Sequence, residues 1–449
     1  MKGFAMWAAA GLLAAAPASA AQRPVVPYEQ VAPILDQLAE DEWPAGLRSS
    51  SVEKRRAAWA SWARQHDEET RARVARGEED TLVNLVLYGV SFTREPRLAE
   101  RDVALQLTEH RARVNRRIAD FVRGLAVATP GDRLAFAREV LTTAGIRISS
   151  PSGPRRARAF VSDLIDRYAA ELRHYVEASV RQERLATLFR DRGLSSDTSI
   201  HPGFAVEQAL AALQGAGLIS PVTRAAIVGP GLDVADKREG LDIYPIQSIQ
   251  PFALVDSLLR LGLARASDLR LTTFDLSPRV NQHLAGAVSR ATQGEPYQIE
   301  LGQTGGAAWI DPLVRYWEAF GDQIGRAVSS TRTPRAPGVR SRAVLVRAEV
   351  VQMLDVRDLD VVVEAPASPA GGARFDVIVA TNTLIYYDRF EQSLALLNLA
   401  RMLRRGGWLF VNDALPPVPA IPLIPMGWTE LKYSNQTNSH ERLTWYRRR

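Results

Sequence analysis

The 449-residue chain has no cysteine. This excludes disulfides, thiolate zinc sites, a cysteine nucleophile and a lipid-modified N-terminal cysteine; it fits export and cytosol equally. Histidine is scarce: His66, His110, His174, His201, His283 and His440 are scattered, with no H-E-x-x-H and no i, i+4 pair. No metal site is expected from them. Neither G-x-S-x-G nor a Walker loop occurs, and no motif marks a Ser-His-Asp site. Aromatic residues make up 7% and do not alternate with basic blocks, and 56 Lys and Arg are interleaved with 50 Asp and Glu for a net charge of +6. An ordinary Arg-rich globular protein is expected, with no nucleic-acid partner. Beyond the first residues, no apolar run is long enough to span a membrane.

What is present begins at the start. Lys2 precedes an apolar run from Phe4 to Ala16, followed by Pro17-Ala18-Ser19-Ala20-Ala21. A short positive region, an apolar region and an Ala-x-Ala site predict a secretory signal peptide over residues 1–20, cut after Ala20, and an exported protein with no transmembrane segment after cleavage. The alternative is an Ala-rich start, or a start codon placed too early, which leaves the protein in the cytoplasm.

Residues 21–200 are expected to form a helical N-terminal domain. A Pro-containing lead-in is followed by VEKRRAAWASWARQHDEETRARVARGEED, with charges at one-turn spacing and an apolar stripe through Ala57, Trp59, Trp62 and Val74. Thr81–Val90 is the most apolar segment of this half and predicts a buried core helix. Further helices are predicted from about Glu100 to Ala128, from Asp132 to near Gly145, and after the Ser150–Pro154 loop to about Phe189. Arg190–Gly203 reads as a polar connector.

Near Phe204 the pattern changes to alternating strands and helices. Arg224–Val228 and Leu269–Phe274 read as strands; Phe204–Ile219 and Pro278–Arg290 read as helices, and another closes at Leu258–Leu263. Such alternation predicts a doubly wound, mostly parallel sheet over residues 201–449. The segment from Gln293 to Arg342 breaks the rhythm and carries Tyr297, Trp309, Tyr316, Trp317 and Phe320. It is read as an insertion that could cover a ligand. Either Val344–Val346 or Val361–Val363 is expected to be the third strand. WTELKYS and RLTWYRR predict a closing hairpin.

The most informative stretch is Arg374–Asp413. Phe375–Ala380 is a short apolar strand. Phe390, Leu394, Leu397, Ala400 and Leu403 fall at helical spacing. Arg401, Arg404 and Arg405 suit the negative end of that helix, and Gly406-Gly407 can stop it. Trp408–Val411 is a second strand. This is a βαβ unit, and ligands sit outside the carboxyl ends of such strands. Strand-N-x-x-x-Y-Y-D, then helix, then M-L-R-x-G-G-x-L resembles the second half of a class I S-adenosylmethionine (SAM)-dependent methyltransferase. The wording TNTLIYYD is similar to that of the chemotaxis-receptor (CheR-type) methyltransferases. The resemblance covers roughly residues 220–449. It implies a Rossmann-like sheet ending in an antiparallel hairpin, SAM as cofactor, and methyl transfer to an acceptor, small molecule or protein, that the sequence does not identify; the CheR-like wording hints at a carboxylate.

The candidate site residues follow the strands. Gly229 and Gly231 come after the first strand, where glycine lets backbone approach a ligand closely. The family motif is acid-x-Gly-x-Gly-x-Gly. Here Ile227 stands where the acid would be, and Asp233 stands where the third glycine would be. The alternative is an ordinary turn. Asp233, Asp236 and Glu239 are either replacements for the missing acid or solvated residues. Asp275 ends the second strand, where a carboxylate accepts hydrogen bonds from both ribose hydroxyls of an adenosine ligand; alternatively, Asp275 or Ser277 caps the helix that begins at Pro278. Thr381 is assigned to the donor, and Asn382 and Tyr386 to the acceptor. Tyr386 and Tyr387 can instead pack the helix start, with Asp388 as its cap. Asn412 and Asp413 end the fifth strand. The imperfect glycine loop and the export signal also fit a non-catalytic binding protein on the same fold, since SAM is made in the cytosol.

Overall fold

The computed structural model describes residues 24–49, 51–128, 133–180, 193–194, 198–235, 242, 244–304, 309–330, 338–364, 374–412, 415, 417–435 and 440–449. The signal-peptide reading, Asp132, Asp236, Glu239 and Asp413 fall outside them.

The first half is helical: α1 (Tyr28–Leu35), α2 (Val52–Tyr88), α3 (Glu100–Leu125), α4 (Arg133–Thr143) and α5 (Gly153–Val180). Helix α2 starts where the Ser51 side chain accepts the Lys54 N–H at 3.4 Å. It is long because its two halves do different work. Its first turns carry charge on the solvent side, and Thr81–Tyr88, most of the Thr81–Val90 segment expected to be a buried core helix, is its fully buried C-terminal end. Leu82 and Val86 pack there with Phe121 of α3, Val140 of α4 and Ile165 of α5.

The second half runs through α6 (His201–Gly215), β1 (Arg224–Val228), α7 (Gln250–Arg260), β2 (Arg270–Asp275), α8 (Pro278–Ala291), β3 (Tyr297–Thr304), α9 (Asp311–Ala319), β4 (Gly325–Val328), β5 (Val339–Val346), α10 (Ala348–Val351), β6 (Leu354–Asp358), β7 (Phe375–Ala380), α11 (Arg389–Met402), β8 (Leu403–Asn412), β9 (Leu423–Lys432) and β10 (His440–Arg448). The main sheet has seven strands in the order β6-β2-β1-β7-β8-β10-β9. The first five are parallel, and β10 runs antiparallel to both β8 and β9. The doubly wound sheet with its closing hairpin is therefore present.

Alternation along each central strand serves two cores. Ala225, Ile227, Val377, Val379, Trp408 and Phe410 face one side with α6, α7 and α8. Ala226, Val228, Ile378, Leu409 and Val411 face the other with α11. Both faces are covered, as the unbroken apolar runs require. Helix α1 completes the second layer: Val31, Ile34 and Leu35 join the core of Phe390, Leu394 and Leu397.

Two expectations are corrected. The third strand is Leu354–Asp358, paired with β2, whereas Val344–Val346 belongs to a separate antiparallel sheet of β3, β5 and β4, and Val361–Val363 forms a turn. Leu354–Asp358 sits at the edge of the sheet, so its sequence LDVRD need not be apolar. Gly406-Gly407 does not cap α11. The helix ends at Met402, and both glycines lie inside β8, with Gly406 at φ 75°. The aromatic residues of the Gln293–Arg342 segment, Tyr297, Trp309, Tyr316, Trp317 and Phe320, are core residues.

Candidate functional site

The chain builds β1, β2 and β6 in one direction across the sheet, then returns to lay β7 on the other side of β1. Between β1 and β7 the order reverses, and such a switch point leaves a crevice outside the strand ends. A partly open cavity lies there, at the place where such a sheet binds small molecules. Its wall contains Gly229 and Gly231 after β1, Asp275, Leu276 and Ser277 at β2, Leu359 and Val361 beyond β6, and Thr381, Asn382 and Thr383 after β7, with Tyr386 and Tyr387.

Each part has a local cause. Gly229 and Gly231 take left-handed conformations, φ 70° and 64°, which a Cβ makes costly. The Gly229 N–H donates to the Phe274 carbonyl at 2.8 Å, binding the loop to the neighbouring strand. The Thr383 hydroxyl donates to the Val228 carbonyl at 3.1 Å and closes the loop against β7. At β2 both readings of the sequence are realised on adjacent residues. Ser277 caps α8 through the Val280 N–H, and Asp275 accepts the Ser277 N–H at 2.7 Å while still lining the cavity. Desolvation pushes the Asp275 carboxyl up to about 6, against the opposing pull of backbone N–H groups from Ser277 and Gly231; the neighbouring Asp358 carboxylate raises it further.

Thr381 is buried, and its hydroxyl has no hydrogen-bond partner although it sits on the cavity wall. A buried hydroxyl without a partner calls for one. Asn382 is the one non-glycine residue with positive φ (56°) among the described residues. Its N–H donates to the Asn412 side-chain oxygen, and Asn412 in turn donates to Glu441 at 2.6 Å. The turn after β7 is thereby tied to β8 and β10. Asp388 does cap α11, in a reciprocal box with Glu391, and Tyr387 is buried while Tyr386 is partly exposed.

Asp233 departs from the expected arrangement. It is buried behind the loop and is not part of the cavity wall; its carboxylate accepts from the Tyr244 hydroxyl at 2.9 Å and from Gln247 at 3.1 Å. No described residue of the 293–342 segment lines the cavity either.

The helical half supplies wall residues that no motif marks. Val74 of α2, Leu194 and Thr198 line the cavity, next to Gln250 at the start of α7 in the second half. The Leu194 N–H donates to the Arg73 carbonyl at 2.9 Å, and the Arg73 guanidinium donates to the Tyr386 carbonyl at 2.9 Å. Helix α2 thus holds both its own cover segment and the turn bearing Tyr386. Thr198 accepts from the Gln250 side chain at 2.6 Å.

Behind Tyr387 lies a buried ionisable group that the sequence reading did not foresee. His66 Nδ1 is 3.4 Å from Glu391 and its Nε2 is 3.9 Å from Asp360. Asp360 is fully buried, one carboxylate oxygen accepts no hydrogen bond, and desolvation pushes its carboxyl up to about 7, with Asp67 adding to the effect. Burial raises Glu391 and lowers His66. A carboxyl whose folded value is raised favours the native state at low pH, and that contribution is lost as pH rises through the folded value. Asp360→Asn removes this loss. Its melting temperature relative to the parent is therefore expected to rise from pH 5 to pH 8; an offset that stays constant or falls over that range contradicts this assignment.

Among the described residues no group of three His, Asp or Glu is placed to hold a metal ion, and no helix is long and apolar enough to cross a membrane.

No family model matches the chain, and no curated protein matches it. Among solved structures it is similar to the N-methyltransferase NodS from Bradyrhizobium japonicum WM9 in complex with S-adenosyl-L-homocysteine, at 15% identity over 54% of this chain and 85% of that one, with a TM-score of 0.26. It is also similar to magnesium protoporphyrin IX methyltransferase from Synechocystis PCC 6803 with bound SAM, at 11% identity over 56% and 81%, TM-score 0.26. A third is the glycopeptide N-methyltransferase MtfA complexed with SAM, at 10% identity over 55% and 94%, TM-score 0.27. Likeness at this level carries no argument about activity.

Proposed function

We propose that this chain is a SAM-dependent methyltransferase whose donor occupies the cavity at the β1–β7 switch point. The observation that carries the reading is the meeting of three unlike features on one wall: two left-handed glycines, the Asp275 carboxylate, and the unpartnered Thr381 hydroxyl. An adenosyl amino acid needs close backbone approach, a ribose acceptor and polar groups for its far end, and these residues fit that need.

The bound donor supplies an electrophilic methyl group on a sulfonium. Everything else is positioning. Gly229 and Gly231 let the loop backbone approach the donor. Asp275, ionised above about pH 6, accepts the ribose hydroxyls. Phe274, Leu276, Leu359 and Val361 form the apolar part of the wall, and Val74 and Leu194 from the helical half shield it from water. Asn382 and Tyr386 face the acceptor, an oxygen or nitrogen nucleophile, with a carboxylate as the class hinted at by the CheR-like wording. A carboxylate acceptor needs no base: it attacks the methyl carbon already deprotonated, and the C–S bond breaks to release the neutral sulfide S-adenosylhomocysteine.

Calorimetry with SAM and S-adenosylhomocysteine tests the reading. Saturable binding of both at micromolar concentration is expected; no heat at millimolar concentration would overturn it. SAM is made in the cytosol, so the expected export is in tension with this reading; fusing the first thirty residues to a reporter active only outside the cytoplasm tests it, and no reporter activity would remove that objection to catalysis. Export of that fusion would favour the non-catalytic reading.

A further inference from the structure

The end of the sheet opposite the cavity carries a concentration of arginine that the proposed chemistry does not use. Arg374 precedes β7, Arg401 lies in the last turn of α11, Arg404 and Arg405 open β8, and Arg447, Arg448 and Arg449 close β10. The strand pairing brings them together. Phe375 pairs with Leu403, and Arg447 pairs with Trp408, so the amino ends of β7 and β8 and the carboxyl end of β10 share one edge. The guanidiniums of Arg404 and Arg447 both flank Gly406, within 3.5–3.8 Å of where its Cβ would be. Mutual repulsion is part of the picture: the charge of Arg374 lowers both Arg401 and Arg448, and Arg405 lowers Arg448 further, although burial is the larger cause in each.

Neutralisation is sparse. Arg404 pairs with Asp376, Arg401 donates to the Gln30 side chain, Arg448 donates to the Leu403 carbonyl, and Arg447 lies over the Trp408 ring at 5.7 Å. Arg374, Arg405, Arg447 and Arg449 are exposed, and none of them pairs with a carboxylate among the described residues. Holding so many like charges together costs electrostatic energy unless an anionic partner offsets it. Guanidinium is also the side chain best shaped to hold phosphate.

The surroundings of the patch select the partner. The outermost strand, β9, starts opposite Arg448 at Leu423 and continues with Ile424, Pro425, Met426 and Trp428. Met426 is 40% exposed and Trp428 55%. Trp428 lies under the Arg442 guanidinium at 4.3 Å, but among the described residues no exposed ring stands between Arg374, Arg405, Arg447 and Arg449, as a single-stranded nucleic-acid surface would require. Cationic side chains flanked by an exposed Met and Trp match a membrane interface, where arginine meets lipid phosphate and Trp sits at headgroup depth.

We infer that this edge docks the protein on an anionic phospholipid surface, with the donor cavity facing away from the bilayer. The strands separate the two ends, so lipid and donor would bind at once.

Vesicle co-sedimentation of the full chain tests this. Binding to phosphatidylcholine vesicles containing a third phosphatidylglycerol is expected, with little binding to phosphatidylcholine alone and release in 0.5 M salt, where screening is short-ranged. Each arginine near such a surface contributes about fivefold to partitioning. The double variant R374S/R405S, whose side chains make no hydrogen bond among the described residues, is therefore expected to bind about twenty-fivefold more weakly with a melting temperature no lower than the parent's. M426S/W428S should weaken the binding that survives at intermediate salt. Equal binding to both vesicle types would overturn the proposal, as would salt-sensitive binding of duplex RNA or DNA without any binding of the anionic vesicles.

Discussion

Replacing Asp275 with alanine is expected to weaken binding of SAM and of S-adenosylhomocysteine by about a hundredfold or more. Two hydrogen bonds to a charged acceptor are lost at about 1.5–3 kcal/mol each, or about 3 kcal/mol together at the low end. The two ligands should suffer equally, because they share the ribose and differ at the sulfur. The fold should not suffer. Burial holds the Asp275 carboxyl above its ordinary value, at about 6, so above that pH its charge opposes folding. The alanine variant should therefore melt no lower than the parent at pH 8. The same shift sets a pH dependence. Between pH 6 and pH 5 the parent's donor affinity should fall by about fivefold as the carboxyl takes a proton, whereas the weak residual binding of Asp275→Ala should stay flat. A variant that binds like the parent, or a parent profile with no step near pH 6, contradicts the assigned role.

The second large effect is expected at Gly229. Its φ of 70° costs an alanine about 1–2 kcal/mol. A Cβ there would lie 2.6 Å from the Thr383 hydroxyl oxygen. That hydroxyl cannot withdraw freely, because it donates to the carbonyls of Val228 at 3.1 Å and Thr381 at 3.2 Å and so joins the ends of β1 and β7. Gly229→Ala is expected to destabilise the fold by about 2–3 kcal/mol and to abolish measurable donor binding. Adding Thr383→Ala removes the collision and leaves the backbone strain. The double variant should be more stable than the sum of the single changes by about 1 kcal/mol, as contacting residues couple. Strict additivity in denaturant unfolding would mean that the loop and the turn after β7 are not packed in this way.

What the sequence revealed and what it hid follow from physical range. Strands β1, β2, β7 and β8 were legible because both faces are buried, which leaves short continuous apolar runs. The edge strand Leu354–Asp358 was not, because it pairs only with β2 and tolerates Asp355, Arg357 and Asp358. Gly406-Gly407 misled because helix caps and strand interiors both accept glycine, and here a positive φ occurs within the strand. Gly229, Gly231, Asp275, Thr381, Asn382 and Tyr386 meet on one cavity wall because strand order places their loops at one rim. Asp233 was adjacent in sequence but turned inward, which depends on Tyr244 and Gln247, partners that local pattern does not announce. Val74, Leu194 and the contact of His66 with Glu391 arise where α2 meets the sheet. No periodicity reports contacts between residues hundreds of positions apart.

Donor binding rests on an adenosyl group seated between the glycine loop and Asp275. A crystal structure of the full chain soaked with S-adenosylhomocysteine tests it most directly. Ligand density is expected in the β1–β7 crevice, with both ribose hydroxyls within hydrogen-bonding distance of the Asp275 carboxylate and a ligand polar atom on the Thr381 hydroxyl. Density elsewhere on the molecule, or a crevice filled by the protein's own side chains with Asp275 pointing out of it, would contradict it.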